Sequence, residues 1–432
     1  MNRPLVSYPN ENVLLSGWRR TAFLITLVLV SIFSQIDRVL PFILGESIKL
    51  DLGLNDTQLG LLTGVAFSIC YSLASLPLAR IADKGWAKQV LVLCLLLWSA
   101  MTVLGGLAFG FVLLAFSRFG VALGEAGGTS ASHAMIVDRI PAAFRGRAIG
   151  LFAMGIPLGT MIGFALGGWI SDHLGWRYAF IGAGIIGLLV VLLVLLFAKG
   201  NYGMLQAKAN DEGFLVSAKK LFSKPSFVWL FIVANLLGFA TAPFYTFTAP
   251  FLIRTHGLTV SEVGLSFGLL QGLMGILGTL LGGRWFDRAV NRGSTKLMNP
   301  PAMVLMIAAV STMLGLFAPS SFMGIALFVP AMFAFAFLLP FAFGSGHMAA
   351  GPGKEALATG IFMMGAGMLS AAISPLLVGM ISDAASTEPG SNGLRIGMLV
   401  VPLFCVFSSV GCFIASDKLS VYLKIGMNKK KE

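Results

Sequence analysis

Long apolar stretches alternate with short polar segments along the whole chain. Each apolar stretch is close to the roughly 20 residues that a helix needs to cross the hydrocarbon core of a membrane. The pattern therefore predicts twelve transmembrane helices. They are numbered helix 1 to helix 12 and cover residues 19–45, 57–81, 88–111, 112–137, 145–170, 176–198, 226–252, 260–285, 298–317, 321–348, 356–381 and 394–416.

The two halves of this pattern repeat each other at an offset of 204 residues. The first copy contains Leu54, Thr57, Gly60, Gly64, Ser68, Arg80, Asp83 and Lys84, and the second contains Leu258, Ser261, Gly264, Gly268, Gly272, Arg284, Asp287 and Arg288. Parallel repeats in a membrane chain indicate two helical bundles that face each other across a central site. We predict an N-terminal six-helix bundle over residues 1–198, a linker over 199–225 and a C-terminal six-helix bundle over 226–432.

The linker has a segment with helical periodicity. Its apolar positions are Phe214, Leu215, Ala218, Leu221 and Phe222, and its basic positions are Lys219, Lys220 and Lys224. Apolar residues on one face and lysines on the other are typical of a helix that lies in a membrane interface. We expect a short helix on the inner membrane surface, which links and positions the two bundles.

Composition supports a membrane protein and limits what its charge can mean. Apolar residues make up 57% of the chain and charged residues 11%, and the mean hydropathy is +0.88. The net charge is +12, but 24 of the 30 Lys and Arg fall in segments on the side of the amino terminus. This bias places both termini in the cytoplasm. It is a topology signal, so we expect no nucleic-acid partner.

Only four charged residues fall deep inside apolar segments: Asp37, Arg38, Arg118 and Glu125. Each costs about 2.5–3.5 kcal/mol at the centre of a bilayer when it is unpaired. Arg118 and Glu125 are two helical turns apart on helix 4, and Thr129 and His133 extend the same stripe. The four charges either form a gated path for protons and substrate or only hold helices 1 and 4 together.

The second half lacks such charges. Its polar intramembrane residues are neutral, among them Thr241 and Tyr245, and Thr241 is the repeat partner of Asp37. A cavity with one charged wall and one apolar wall with scattered hydroxyls suits an amphipathic substrate. We expect Arg38, Arg118, Thr129, His133, Thr241 and Tyr245 to bind it. Arg118 more than Arg38 would hold an anionic head group, because protonation of Glu125 would release the Arg118 guanidinium.

Small residues recur at every fourth position on three helices. The stripes are Gly155, Gly159, Gly163 and Gly167 on helix 5, Gly60, Gly64 and Ser68 on helix 2, and Gly264, Gly268 and Gly272 on helix 8. Such stripes let helix backbones approach closely within a membrane. Pro157 removes a backbone hydrogen bond and predicts a bend in helix 5.

Six motifs stand out by their order and spacing. They are ARIADKGWAK between helices 2 and 3, GGRWFDR between helices 8 and 9, SQIDRVLPF on helix 1, RFGVALGEA on helix 4, DRIPAAFRGRAIG after helix 4 and LGWRYAF at the start of helix 6. Together they resemble the major facilitator superfamily and, within it, the Spinster family of lipid transporters. Ala79 and Ala122 stand where the family patterns have glycine. The resemblance covers nearly the whole chain.

The resemblance implies roles for particular residues. Asp37 and Glu125 take the family's proton-coupling positions, and Arg118 takes a binding position. Charged residues at the cytoplasmic ends of helices are expected to form a conformational latch that bonds across helices only while the inner side is shut. The expected latch residues are Arg80, Asp83, Lys84, Arg145, Arg147, Arg284, Asp287 and Arg288.

We therefore predict an all-α, twelve-helix membrane protein of the major facilitator fold, a proton-coupled transporter of an amphipathic, anionic substrate of the lysophospholipid or sphingoid-phosphate type. The alternatives are a proton-coupled multidrug exporter, a channel and a membrane-embedded lipid-modifying enzyme. Four scattered cysteines without CxxC spacing and four scattered histidines predict no metal site and no cofactor. We expect a monomer in a bacterial inner membrane, with lipid, substrate and protons as its partners.

Overall fold

The structure is a computed structural model that describes residue 15 and residues 17–198, 214–351, 355–386 and 392–428. Every regular element in these ranges is a helix. The first six membrane helices are helix 1 (Gly17–Ile43), helix 2 (Asp56–Gly60, Leu61–Val65 and Ala66–Ile81), helix 3 (Ala87–Gly106), helix 4 (Phe111–Arg139), helix 5 (Ala142–Ala153 and Gly155–Leu174) and helix 6 (Trp176–Phe197). A short helix, Gly45–Leu52, follows helix 1, and a turn, Ala82–Trp86, joins helices 2 and 3.

The second half repeats this order. Its helices are helix 7 (Pro225–His256), helix 8 (Val260–Val263, Gly264–Gly268 and Leu269–Asn291), helix 9 (Asn299–Leu316), helix 10 (Ser321–Ala350), helix 11 (Glu355–Met364, Gly365–Ser370 and Ala371–Ala385) and helix 12 (Gly393–Met398 and Val400–Asn428). Helices 2 and 8 each contain a π-helical turn, Leu61–Val65 and Gly264–Gly268, at repeat-related positions. The repeat read from the sequence is therefore also a repeat of backbone geometry.

The predicted fold class is confirmed. Within the described ranges, ten helical stretches are long and apolar enough to cross a membrane. One of them, Asp56–Gly106, is 51 residues long and comprises both helix 2 and helix 3. These ten stretches therefore contain eleven of the twelve membrane helices. The remaining one is helix 11, whose segment Ala371–Ala385 is apolar but shorter than a full span.

Helix 5 is divided into two segments close to its proline. Met154 separates Ala142–Ala153 from Gly155–Leu174. Pro157 has no backbone N–H to donate to the carbonyl of Ala153, four residues earlier, so the helix is interrupted at that point. Met154 itself keeps a right-handed helical conformation, so the bend expected from Pro157 stays a prediction.

The glycine stripes mark the closest helix contacts. The four glycines of helix 5 face Ser31, Ile32, Val39 and Leu40 of helix 1. Gly60 and Gly64 of helix 2 lie against the backbone of helix 11 at Pro375 and Ala372. Gly264 and Gly268 of helix 8 lie against Phe164 of helix 5, and Gly272 lies against Met161. The stripes of helices 2 and 8 thus form contacts between the halves, helix 2 with helix 11 and helix 8 with helix 5, while the stripe of helix 5 packs within the first half.

The buried apolar side chains form two clusters, and the positions of these clusters show the conformation. We call the end of the bundle where helix 1 begins and helix 12 ends the termini face, and the other end the far face. Near the far face, residues of both halves form one cluster, which includes Ile43, Leu59, Phe164, Phe251 and Val263. Toward the termini face, first-half residues such as Phe23, Leu91 and Val194 form a separate cluster. The halves are therefore joined at the far face and apart at the termini face.

The linker contains the expected short helix, Phe214–Phe222, and residues 199–213 of the predicted linker lie outside the described ones. Leu221 is fully buried, and the Phe222 ring packs edge-on against Phe227 and Phe231 of helix 7. The Lys224 ammonium donates to the carbonyls of Ala349 and Ala350 at the end of helix 10. These contacts fix the linker helix to the second half of the chain.

Candidate functional site

The four intramembrane charges meet between helices 1 and 4. The Arg38 Nε of helix 1 donates to Glu125 Oε2 of helix 4. The Arg118 guanidinium donates from its NH1 nitrogen to the backbone carbonyl of Asp37 at 3.2 Å. Asp37, Arg118 and Glu125 are all buried, with exposed fractions of 3%, 3% and 1%. The cluster is compact, and each of the two helices contributes one acid and one arginine to it.

The pairing differs from the expectation that Glu125 would hold Arg118. Spacing along helix 4 places these two side chains on one face, but the carboxylate of Glu125 bonds across to Arg38 of helix 1 instead. The Arg38 side chain is 31% exposed, whereas Arg118 is almost fully buried. Arg38 is therefore the arginine that a solute can reach, because its neighbour in the cluster is covered by protein.

Helix 2 supplies two aromatic rings that the sequence analysis did not single out. The Arg38 guanidinium lies 4.6 Å from the ring centre of Tyr71 and 5.3 Å from that of Phe67. The Arg118 guanidinium also lies 5.3 Å from the centre of Phe67. Cations held over aromatic faces gain electrostatic stabilisation that grows when water is excluded. The rings offset part of the cost of placing two arginines in the membrane interior.

Several buried polar atoms of the cluster have no hydrogen-bond partner in the described part of the chain. They are Asp37 Oδ1, Glu125 Oε1 and Arg118 Nε. A buried polar atom without a partner costs about 1–3 kcal/mol, and more when it carries charge. Such a cluster is incompletely satisfied, so a proton on either carboxylate oxygen, or an anion at the Arg118 Nε–H, would be stabilised.

A small cavity of ≈ 70 Å³ adjoins the cluster and is lined by Arg38, Gln35 and Thr129 among others. The Gln35 side chain donates to Thr160 Oγ1 of helix 5 at 3.0 Å, which fixes one wall. His133 lies outside this wall, with its ring edge-on to Phe152 at 5.2 Å. A space of this size holds about two waters. It can hydrate the head of a substrate but cannot contain one.

The expected residues of the second half lie in an aromatic environment. The Tyr245 ring packs edge-on against Phe244 at 5.8 Å and Phe335 at 6.2 Å. Thr241 is half-buried, and its hydroxyl donates to the carbonyl of Gly238 at 3.4 Å. These contacts lie within the second half. A substrate-binding role for Thr241 and Tyr245 stays a prediction.

The expected latch residues are spread over the termini face. Arg145 donates from Nε to the carbonyl of Ile140, and it is half-buried. The other seven are exposed: Arg80, Asp83, Lys84, Arg147, Arg284, Asp287 and Arg288. Within the ranges that the structure covers, none of the eight forms an ion pair. This arrangement matches a bundle that is open at the termini face.

The far face holds an ion network that joins the two halves. Its centre is Arg254, at the end of helix 7. Its guanidinium donates to both carboxylate oxygens of Asp56, at 2.8 and 2.7 Å, and to Glu46 Oε2 at 2.6 Å. The Lys49 ammonium donates to the same Asp56 at 2.6 Å. We call Glu46, Lys49, Asp56, Arg254 and Asp383 the far-face network.

Asp383, at the end of helix 11, completes this network by capping helix 2. Its carboxylate accepts from the backbone N–H groups of Asp56 and Thr57 at 3.0 and 2.8 Å. In the same way, the carboxylate of Asp172 on helix 5 accepts from the backbone N–H of Ser261 on helix 8 at 2.7 Å. A carboxylate at a helix N-terminus is stabilised by the unpaired N–H groups and by the helix dipole. Thr57 and Ser261 are repeat partners, so the halves cap each other reciprocally.

The far-face network was not predicted from the sequence, although the distribution of charges contained one signal for it. Predicted outer segments contain seven acidic and four basic residues, and Arg254 is the basic residue that ends helix 7. An arginine beside an apolar helix, on a face where acids are in excess, has a high chance of an acidic partner. Which acid it meets depends on how the two halves dock.

The fold and the charged cluster define a membrane transporter with two bundles of parallel topology. Residues 23–375 match the Major Facilitator Superfamily, and the chain belongs to this superfamily. Over 429 residues the chain is 31% identical to a protein of Mycolicibacterium smegmatis named "MFS-type efflux pump", which covers 97% of this chain and 98% of that protein.

Two crystal structures resemble this one closely. Both are of a bacterial homologue of the human lysosomal transporter Spinster in an inward-facing conformation. The unoccupied form has a TM-score of 0.84 and 27% identity, and the occupied form has a TM-score of 0.81 and 25% identity. In each case the match covers 94% of this chain and 98% of the other. The resemblance to the Spinster family is thus confirmed at the level of structure.

Proposed function

We propose that the chain is a proton-coupled secondary transporter that moves an amphipathic, anionic, lipid-like substrate by alternating access. The observation that carries this proposal is the buried cluster of Asp37, Arg38, Arg118 and Glu125. Placing a charged group inside a membrane bundle costs free energy. Such groups therefore mark the pathways of substrates and protons, where their charge is needed. Two buried acids with unpaired oxygens can take up protons, and a half-exposed arginine can bind an anion.

The proton-coupling role rests on Asp37 and Glu125. When Glu125 takes up a proton, it loses its charge and its hold on the Arg38 guanidinium weakens. Arg38 can then donate two parallel hydrogen bonds to a phosphate, a geometry that arginine provides and lysine does not. Protonation and substrate binding are thereby linked through one side chain.

The test of coupling is transport by Asp37→Asn and Glu125→Gln in proteoliposomes. We expect both variants to lose accumulation of substrate driven by a pH gradient while they retain exchange of labelled for unlabelled substrate. Asp417→Asn, which changes an exposed acid near the end of helix 12, is the matched control and should retain both activities. Gradient-driven accumulation at the wild-type rate in Asp37→Asn would remove Asp37 from the proton path.

Substrate class can be tested at Arg38 and Arg118. The structure leads us to propose Arg38 as the main contact of the head group and Arg118 as its buried support. Arg38→Lys should weaken binding of lysophosphatidic acid much more than binding of a cationic amphiphile. Arg118→Lys should instead lower the stability of the protein, and it should weaken binding of both ligand classes to the same extent. Equal losses for both ligand classes in Arg38→Lys would argue against an anionic substrate.

A second candidate is a proton-coupled multidrug exporter. It is supported by the 31% identity to the protein named as an efflux pump. The apolar wall around Tyr245 would suit many amphiphiles, so charge preference separates the two candidates. A thermal-shift screen of lysophospholipids, sphingoid lipids and cationic drugs would show it, since an exporter of cations should respond most strongly to the drugs.

We also propose the organisation predicted from the sequence. Residues 1–198 and 226–432 form the two bundles, and residues 199–225 link them. The excess of Lys and Arg in the segments of the termini face supports a cytoplasmic location for both termini. The protein would then be an inward-facing monomer of a bacterial inner membrane.

A further inference from the structure

A groove of ≈ 490 Å³ lies at the termini face, between the first turns of helix 1 and the segment Ala142–Ala153. A Cβ atom at Gly146 or Gly150 of this segment would meet open space, whereas the glycines of Gly155–Leu174 pack directly on helix 1. The volume falls within the range of sites that hold small molecules. The cluster around Arg38 does not line it.

The two ends of the groove differ in chemistry. Its mouth carries Arg20, from the first turn of helix 1, and Arg147, and the Arg20 guanidinium lies 4.8 Å from the ring centre of Phe144. Apart from these arginines and Thr21, the lining side chains are apolar, among them Leu24, Val28 and Leu151. Among the residues that the structure describes, the lining contains no acidic side chain that would neutralise the arginines.

The length of the groove matches one leaflet of a membrane. From Arg20 to Leu29 the lining follows helix 1 for nine residues, or about 13 Å at the rise of an α-helix. Half the hydrocarbon core of a bilayer is about 15 Å thick. The groove therefore offers positive charge at the depth of the head groups and an apolar channel at the depth of an acyl chain.

We propose that this groove binds an anionic phospholipid from the leaflet at the termini face. The phosphate contacts Arg20 and Arg147, and one acyl chain lies along Leu24, Val28 and Leu151. Basic pockets between transmembrane helices on the cytoplasmic side suit anionic head groups in this way. The proposal rests on the orientation proposed above and not on the nature of the transported substrate. Because helix 5 also contacts helix 8, a lipid at this position would stabilise the present arrangement of the halves.

The test uses the full-length purified protein and three probes: phosphatidylglycerol, phosphatidylcholine and soluble glycerol phosphate. Phosphatidylglycerol should raise the thermal unfolding temperature and should be retained as one molecule per chain in native mass spectrometry. The double variant Arg20→Gln with Arg147→Gln should lose this retention, with an affinity about 25-fold lower, since each interfacial arginine contributes about fivefold. Arg19→Gln is the matched control, because Arg19 is exposed and its guanidinium faces the Trp18 ring instead of the groove.

A second variant tests the acyl-chain channel while it keeps both arginines. Thr21 is exposed and lines the groove, so Thr21→Trp should fill the space and displace the lipid without disturbing a core. Three results would overturn the proposal. They are equal stabilisation by phosphatidylcholine, equal protection by glycerol phosphate, and unchanged retention of phosphatidylglycerol in both the double variant and Thr21→Trp.

Discussion

The far face and the termini face use their charged residues in different ways. At the far face, Arg254 and Asp383 are bonded to groups of the first half, and Asp56, the partner of Arg254, is almost fully buried. At the termini face, Asp83 and Asp287 are exposed and form no ion pair within the described ranges. Exposed ion pairs contribute about 0–1 kcal/mol, whereas breaking a buried pair costs about 3–5 kcal/mol. The far face therefore determines this conformation, and the termini-face charges can act only in another one.

The largest effect on far-face closure is expected when the cation at the centre of the far-face network is removed. Arg254→Gln leaves the carboxylates of Asp56 and Glu46 without their shared cation. A loss of about 3–5 kcal/mol would shift the equilibrium about a hundredfold or more toward a far face that is open. Spin labels at positions 50 and 384, on the two halves of the far face, should report a longer distance.

The control for this prediction lies on the same face. Arg177 bonds to Asp51 within the first half, and both side chains are more than a third exposed. Arg177→Gln removes a cation from the far face without breaking a contact between the halves, so the distance should not change. A short distance in Arg254→Gln would show that apolar contacts alone keep the far face closed.

A second prediction concerns the glycine contacts that accompany the network. A Cβ atom at Gly60 would meet the backbone carbonyl of Pro375 on helix 11, and one at Gly264 would meet that of Phe164 on helix 5. Gly60→Ala and Gly264→Ala should each cost about 1–3 kcal/mol of the far-face closure, and the same label pair would detect it. Gly146→Ala, where the Cβ meets open space, should leave the distance unchanged.

The two carboxylates that cap helices of the opposite half should stabilise far-face closure to different extents. Asp383 accepts two backbone N–H bonds and one hydroxyl bond from helix 2, while Asp172 accepts one backbone bond from helix 8. Hydrogen bonds to a charged group contribute about 1.5–3 kcal/mol, so Asp383→Asn should favour opening by about tenfold. Asp172→Asn should have a smaller effect. The reverse order would contradict the assignment of Asp383 to the main closure.

The smallest effect is expected at the termini face. Asp83→Asn and Asp287→Asn remove charges that do not bond in this conformation, so they should not destabilise it. If the two acids form the latch of the opposite conformation, each change should shift the population further toward the inward-facing state. Spin labels at the termini-face ends of helices 2 and 11 would show this as a larger fraction of long distances. Asp417→Asn should not produce it, and no change in any variant would make the loop acids bystanders.

Much of this fold follows from the sequence because membrane physics leaves few choices. A stretch of about 20 apolar residues can only be a crossing helix, and the glycine stripes mark where two such helices must touch. Asp37, Arg38, Arg118 and Glu125 stood out since any charge in such a stretch needs a partner.

The pairings and the conformation could not be predicted in the same way. Spacing along helix 4 shows that Arg118 and Glu125 share a face. It does not show how helix 1 is rotated against that face, and this rotation decides that Glu125 pairs with Arg38. Likewise, Asp56 and Arg254 are 198 residues apart, and each is an ordinary polar residue at a helix end until the halves dock. The repeat predicts two bundles but not which of their two ends is closed.

The far-face network also sets an order of assembly during synthesis. The first half contributes Glu46, Lys49 and Asp56, which leaves two acids with one base until Arg254 at the end of helix 7 has been made. Asn55 and Gln58 cap the start of helix 2 locally, but the N–H groups of Asp56 and Thr57 gain the Asp383 carboxylate only when the eleventh of twelve helices has been made. The far-face ends of the first-half helices therefore reach their final contacts only as the chain nears its end.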